Sequence, residues 1–395
     1  MTITLLLDLD DTLLETNTEN FFPAYLQALS GALSHLVPQE IILPALMSGT
    51  KRMMDNLDPA LTLREVFDAY FFKKLGMERD SLQASIDNFY DEVFPTLGSL
   101  TKARPEAVRL VDWAFAQGFR VAVATNPLFP LEAIEHRLRW ADLPPEKYPF
   151  ALVSSYERFH FTKEVIAYFG EIMGLMGWPE DPVVMVGNDV DMDIRPAQQA
   201  GFPVFWVKNG IETSPEFSMI PQGGLGEFRA WLESVDPQTL QPAYNSPQAL
   251  VALLRSTPAA LASLTIDLAA PAWTRQPQPG EWCLTEIVGH LRDVDRDVNL
   301  PRLRRLLAET NPFMAGEVTD EWVKERQYAR QDGRASLSEF TTIRKELLAL
   351  MDGLQAEWDR PARHAIFGPT SLQELVGFMA EHDRLHVRQA FEAIR

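Results

Sequence analysis

The sequence predicts two architectures in one chain: a parallel α/β sheet with a helical cap inserted after its first strand, followed by an all-α four-helix bundle. Three observations lead there. Short apolar runs alternate with helical patterns as far as Val207. The stretch between the first two runs is far too long for a simple crossover and repeats apolar residues at helical spacing. Beyond a proline-bearing segment the apolar period is that of helices throughout, with no strand pattern.

Taken in order, residues 2–9, 119–125, 150–154, 182–187 and 203–207 read as buried strands, short and rich in aliphatic side chains. Residues 105–117 and 162–176 read as helices between them, the alternation of a parallel sheet with helices on both faces. Within the insertion, residues 21–36, 63–75 and 82–94 have helical spacing, so roughly residues 15–100 form a cap. The sheet pattern stops after Val207. Gly223, Gly224 and Gly226 follow no strand, open no nucleotide fingerprint, and precede one amphipathic helix at 228–235. Pro237, Pro242 and Pro247 mark residues 237–247 as a linker between a first domain, 1–236, and a second, 248–395. There, helical patterns run through 249–264, 284–307, 337–358 and 371–394, lengths that suit an antiparallel bundle.

A chain of 395 residues is long enough for two or three domains. Its formal net charge of -19 argues against a nucleic-acid partner and against an anionic membrane surface. Cys283 is the single cysteine, which excludes an internal disulfide and suits a reducing cytoplasm. Asp8 and Asp10 interrupt the first apolar run, so it does not read as a signal peptide, and no run of about 18 apolar residues suggests a membrane span.

The chemistry-bearing residues sit at the ends of the expected strands. Asp8 and Asp10 emerge from the first, at the edge of an open α/β sheet where ligands bind. One carboxylate could act as nucleophile and the other as general acid/base, and both could help hold a hard cation. Alone, such a pair is usually a polar loop. The second strand, however, ends at Thr125-Asn126, a hydroxyl and an amide able to bind phosphate oxygens. After the third comes Lys163, at an expected helix start with Thr162 as its N-cap, where a cation can neutralise a phosphoryl group. The fourth is followed by a second acidic cluster, Gly187-Asn188-Asp189-Val190-Asp191-Met192-Asp193.

In this order the groups resemble the four motifs of the haloacid dehalogenase-like (HAD) hydrolase superfamily, over roughly residues 1–235. The resemblance implies a Rossmann-like sheet, with Asp8 as nucleophile and Asp10 as acid/base. It implies Thr125 and Lys163 as the second and third motifs, and Thr12 and Asn126 as phosphate-binding groups. It also implies magnesium held by Asp8, the Asp10 carbonyl and the last acidic cluster. That cluster departs from the usual Gly-Asp form: Asn188 follows the glycine and Asp189 comes one later, with Asp193 behind them. Whether Asn188 or Asp189 faces the metal stays open. The resemblance implies a two-step phosphatase. Asp10 separates this from carbon–halogen cleavage, which needs no proton donor there, whereas a phosphomutase would share all these residues.

Of seven histidines, three stand out in the second half. His382 and His386 are four apart on the last helix and share a face, and His290 lies on an earlier helix that packing could bring beside them. Three neutral imidazoles with an open fourth position suit zinc, nickel or another divalent ion. The segments around Trp282 to Leu291 and Phe378 to Gln389 resemble the DinB/YfiT family of four-helix metalloproteins, over roughly residues 245–395. That resemblance carries its ligands onto His290, His382 and His386. Asp293 could be a further ligand, a group behind the ligands or, the favoured reading, a surface carboxylate. Cys283 could face the same side as His290, although a buried apolar cysteine is favoured. The expected partner is a small phosphorylated metabolite, with pairing of two copies through the bundle as an open alternative. The bundle itself is either a thiol-dependent metalloenzyme or a binding module without chemistry.

Overall fold

Strand β1, Thr4–Leu7, is buried at all four positions, as a strand covered on both faces must be. It belongs to a computed structural model that describes residues 2–208 and 218–395. By contacts the chain divides into two units: residues 1–57, 61–165 and 180–242, and residues 58–60, 166–179 and 243–395.

In the first unit the chain leaves β1 through β2 (Leu14–Glu15) into α1 (Thr18–Leu33), α2 (Gln39–Met54), α3 (Leu63–Leu75) and α4 (Arg79–Asn88). It returns through β3 (Lys102–Ala103), antiparallel to β2, so this helical insertion hangs on a two-strand tether. Helix α3 begins with a reciprocal cap: Thr62 Oγ1 accepts from Glu65 N at 3.2 Å, and Glu65 Oε2 accepts from Thr62 N at 2.8 Å. Helix α2 was not expected from the sequence. Its Ile41, Leu43 and Met47 face outward while Ile42, Ala45 and Leu46 are buried, which blurs the apolar stripe.

The sheet continues through α5 (Pro105–Ala116), β4 (Arg120–Val123), α6 (Leu131–Trp140) and β5 (Leu152–Val153). Helix α7 (Ala167–Leu175) then precedes β6 (Val183–Gly187), α8 (Arg195–Gln199), β7 (Val204–Val207), β8 (Gln222–Gly223) and α9 (Leu225–Ser234). The strand order is β5-β4-β1-β6-β7-β8, parallel at each pairing, and all five expected strands are present. The sheet does not stop at Val207: β8, too short to carry a period, adds an edge. One apolar core joins Leu5, Val121 and Val184 of the strands to Phe21, Tyr25 and Phe94 of the insertion. The order of strands places the C-terminal ends of β4, β1 and β6 side by side.

The second unit holds α10 (Pro247–Thr265), α11 (Leu284–Val294), α12 (Leu300–Ala308), β9 (Phe313–Met314) and α13 (Trp322–Glu325). After these come α14 (Gly333–Met351), β10 (Pro361–His364), β11 (Gly368–Ser371) and α15 (Leu372–Ala393). Helices α10, α11, α14 and α15 are the four of the expected bundle. Two expectations are corrected. The helix over 284–307 is interrupted by a π turn at Asp295–Asn299, just before Pro301, whose ring and missing N–H cannot continue a regular ladder. Helix α14 ends at Met351, well short of residue 358, because Gly353 takes a left-handed φ of 82°. A three-stranded sheet, β11-β10-β9, also lies in this strandless expectation.

Helix α7, assigned by sequence to the sheet half, groups by contact with the second unit and crosses α10 closely. A Cβ on Gly170 would lie 2.3 Å from Ser256 Oγ, and one on Gly174 2.6 Å from Ala260 Cβ, so only glycine allows this approach. The bundle is further pinned by Arg344, fully buried on α14. It donates to Asp295 at 2.7 Å, to the Leu254 carbonyl at 2.9 Å and to Asp383 at 3.1 Å, tying four elements together.

Candidate functional site

Asp8 follows the last residue of β1, and its N–H donates to the Val186 carbonyl of β6 at 2.9 Å, which fixes the carboxylate at the sheet edge. Lys163 Nζ donates to Asp8 Oδ1 at 2.8 Å and pairs with Asp193; all three groups are buried. Burial, with the Asp8 charge adding to it, pushes the Asp193 carboxyl up to about 7, against the opposing pull of Lys163. Asp193 packs so tightly on Gly187 that a Cβ there would lie 2.2 Å from Asp193 Oδ2.

The Asn188 side chain turns toward the nucleophile. One atom of its amide lies 2.8 Å from the Asp10 carbonyl, 2.9 Å from Thr12 Oγ1 and 3.1 Å from Asp8 Oδ2. With nitrogen there the amide donates to Asp8 and Asp10. With oxygen there, Thr12 donates to it and the remaining oxygens form a donor set of the kind that holds a hard cation. Trp206 on β7 holds the Asn188 backbone by donating to its carbonyl at 2.9 Å. Asp189 is turned away: its Oδ1 accepts from Asp191 N and Met192 N at 2.8 and 3.0 Å, capping the next turn. Asp10 accepts from Thr16 Oγ1 at 2.6 Å and pairs with Arg137 of α6.

In the bundle, Nε2 of His290 and of His386 lie 3.0 and 3.1 Å from Nε2 of His382. A tetrahedral zinc with bonds of about 2.05 Å would space its nitrogens by roughly 3.3 Å, near these two spacings, and the ligating atoms of all three histidines lie within 4.8 Å of one another. Burial, helped by the neighbouring imidazoles, pushes His290 down to about 2 and His382 to about 3, and burial lowers His386 as well. All three are therefore neutral, the state a metal requires. His386 Nδ1 lies 2.8 Å from Gln389 Oε1, and donation to it leaves Nε2 free to ligate. The Trp282 ring stacks on the His386 ring, 5.5 Å between centroids and 5° from parallel.

Residues 253–390 match the model of the DinB superfamily, and residues 162–222 match a HAD-hydrolase-like model. The chain joins a HAD-like hydrolase region to a DinB-like region. No curated protein matches it. Among solved structures it is similar to YfiT from Bacillus subtilis, which has an unusual four-helix bundle topology, at 18% identity, TM-score 0.35, over 41% of this chain and 89% of that one. It is similar to a HAD phosphatase from Thermococcus onnurineus at 17% identity, TM-score 0.39, over 59% and 98%. A 2-haloacid dehalogenase from Pseudomonas syringae pv. Tomato DC3000 is similar at 21% identity, TM-score 0.42, over 59% and 99%.

In the HAD-like region, Asp8, Asp10, Thr12, Asn126, Lys163, Asn188 and Asp193 are linked by the contacts above and by Asn126 Oδ1, which accepts from Lys163 N at 3.3 Å. Thr125 is buried at the end of β4, its carbonyl accepting from Ser154 Oγ at 2.6 Å. Asp189 joins the group only through its N–H, which donates to Asp193 Oδ2 at 2.9 Å, and its carboxylate is not in it. Thr162 does not cap a helix: α7 starts at Ala167, and Lys163 sits in the turn before it. Sequence reasoning missed Arg137, which has no motif around it. A cavity of about 50 Å³ among Tyr25, Phe71 and Phe129 touches none of the site carboxylates.

In the DinB-like region, the favoured reading of Asp293 as a surface carboxylate is corrected. It is buried and engaged by Arg292 at 2.8 Å, Arg326 at 2.6 Å and Tyr328 OH at 2.9 Å, which leaves it no role as a ligand. Cys283 is buried at the start of α11, and burial pushes its thiol up to about 11, so it is inert at neutral pH. Gln389 was missed; a side chain one turn beyond His386 was its only sequence signal. No helix among the described residues is long and apolar enough to cross a membrane.

Proposed function

We propose that the HAD-like region is a magnesium-dependent phosphatase for a small phosphorylated metabolite, working through an aspartyl-phosphate on Asp8. The observation that carries this reading is the buried Lys163 ammonium 2.8 Å from Asp8 Oδ1, with Asp10 two residues on. Asp8 attacks phosphorus; its oxygen–phosphorus bond forms as the bond to the leaving oxygen breaks, and that oxygen takes a proton from Asp10. Water then attacks the aspartyl-phosphate, gives its proton to Asp10 and frees the Asp8 carboxylate. Magnesium would be held by Asp8, the Asp10 carbonyl and Asn188, and would supply positive charge to the phosphoryl oxygens. Lys163 holds the nucleophile against Asp193. Arg137 presents Nε and Nη1, which have no partner among the described residues, for a substrate oxygen. Asp10 argues for phosphoryl transfer over dehalogenation.

The test is hydrolysis of p-nitrophenyl phosphate with magnesium. Wild type is expected to turn it over, and Asp8→Asn to be inactive with an unchanged melting temperature; persistent activity in that variant overturns the assignment.

For the DinB-like region a catalytic metal is favoured over a structural one, because three histidines leave a fourth position open. A thiol used there would come from a small molecule, since Cys283 is buried. Metal content, and exchange of a metal-bound water, distinguish the two: a closed coordination shell makes the site structural.

A further inference from the structure

The cavity of about 50 Å³ in the first unit lies between the helical insertion and the loops that leave the sheet edge. Helices α1 to α4 supply most of its wall, and Leu128, Phe129 and Pro130 after β4 border it with Tyr156 after β5. Phe129 relates it to the catalytic groups: its ring is 4.9 Å from the Tyr25 ring and 5.0 Å from the Arg137 guanidinium, which pairs with Asp10. The wall is mostly aliphatic or aromatic, broken by Tyr25, Thr50, Asp68, Arg79, Tyr90 and Tyr156. Asp68 Oδ2 is taken by Arg79 at 2.6 Å and by Arg64 at 3.7 Å, while Asp68 Oδ1 is buried with no partner among the described residues. Arg79 is spent on its neighbours: besides Asp68, its Nε donates to Gln83 at 3.0 Å, and the Tyr156 oxygen accepts from it. The Tyr25 and Tyr90 hydroxyls are buried 3.0 Å apart, so one O–H donates to the other and the second is left with no acceptor among the described residues.

A cavity with an acceptor short of a donor and an O–H short of an acceptor suits a group that both gives and takes a hydrogen bond, as a hydroxyl does. Charged groups suit it poorly: a cation meets the two guanidiniums beside Asp68, and an anion meets the Asp68 carboxylate itself. The space takes roughly three or four water-sized groups, enough for the end of a chain and too little for a sugar ring. A polyol would also press further hydroxyls against apolar wall that cannot pair with them. Water filling the cavity would want about three polar partners per molecule, and the mainly apolar wall offers few. We propose, resting on the phosphatase reading of Asp8, that this cavity receives the far end of the leaving alcohol, and that the alcohol is an aliphatic one ending in a single hydroxyl, which donates to Asp68 Oδ1 and accepts from the Tyr25–Tyr90 pair. The substrate is then the monophosphate of a terminal diol, its chain running past Phe129 and its phosphate at Asp8.

The test is hydrolysis by the full chain, with magnesium, of terminal-diol monophosphates from propanediol to octanediol, each beside the plain alkyl phosphate of equal length and beside ribitol phosphate. One diol length is expected to give the highest kcat/KM, at least about tenfold above its alkyl counterpart and above ribitol phosphate. An analogue of that length ending in a methoxy group, which accepts but cannot donate, should fall by about tenfold in wild type. In Asp68→Asn, whose amide can turn a donor to the cavity, methoxy and hydroxyl should lie within about threefold of each other, with folding unchanged by circular dichroism. Equal rates for alkyl and hydroxyalkyl phosphates, a preference for ribitol phosphate, or the same hydroxyl-to-methoxy ratio in Asp68→Asn overturns the proposal and leaves the cavity to ordered water. Calorimetric titration of Asp8→Asn with the same compounds separates this from the activity. A hydroxyl preference in binding, where wild type hydrolyses no phosphomonoester, keeps the hydroxyl site and removes the phosphatase. Hydrolysis of p-nitrophenyl phosphate with no hydroxyl preference keeps the phosphatase and removes the hydroxyl site.

Discussion

Arg137 pairs with Asp10 through Nη2 while its Nε and Nη1 are buried with no partner among the described residues. Its guanidinium lies 5.0 Å from the Phe129 ring and 5.8 Å from the Phe21 ring. Burial pushes it down to about 10, with the Asp8 charge acting the other way, so it remains a cation at neutral pH.

Two unpaired donors beside the acid/base are costly unless a substrate takes them. Arg137→Met is expected to raise KM for a phosphomonoester by about tenfold or more, with a smaller change in kcat. Urea melts should show a stability change within about 1 kcal/mol, because two unsatisfied donors leave together with one ion pair. An unchanged KM would make the guanidinium a structural group only.

Lys163→Met should abolish phosphatase activity and leave the Asp8 and Asp193 carboxylates buried against each other. The cost is about 3–5 kcal/mol at pH 8 in magnesium-free urea melts. Asp193 titrates near 7 in the folded protein against 3.8 unfolded. Its stabilising contribution is thus complete below the unfolded value and is lost as pH rises through about 7. The gap between variant and wild type should therefore narrow from pH 8 to pH 5.5. A gap independent of pH would mean that no carboxylate there takes up a proton.

The histidines have the opposite sign. Their folded values lie below the usual 6.5, so their contribution is present above 6.5 and is lost as pH falls toward about 3. Metal-free protein should melt at progressively lower temperature between pH 7 and pH 4, and His290→Leu should flatten that fall. Zinc at pH 7 should raise the wild-type melting temperature and not that of His386→Ala. Gln389→Leu should weaken zinc by about 10- to 100-fold.

Gly170→Ala should cost about 1–3 kcal/mol in denaturant unfolding, because the new methyl meets Ser256 Oγ. Ser256→Gly in the same chain should recover part of that loss; additive effects would mean that the two helices do not meet there.

Residue identity and local period carried the fold class, the five strands, the bundle helices and the three histidines. Each of these depends on chemistry repeated at short range: aliphatic runs, apolar spacing, a histidine pair one turn apart. Helix α2 escaped because outward apolar residues mask its stripe, and β8 because two residues have no period. The metal-facing residue of the last acidic cluster could not be chosen from spacing, since Asn188 and Asp189 are neighbours. Tertiary structure turned Asn188 toward Asp8 and spent Asp189 on a cap. It alone brought Arg137 to Asp10 and buried Asp293 among arginines. Those pairings join residues far apart in the chain, and their energies depend on burial and on which partner is already engaged, quantities that no local sequence pattern encodes.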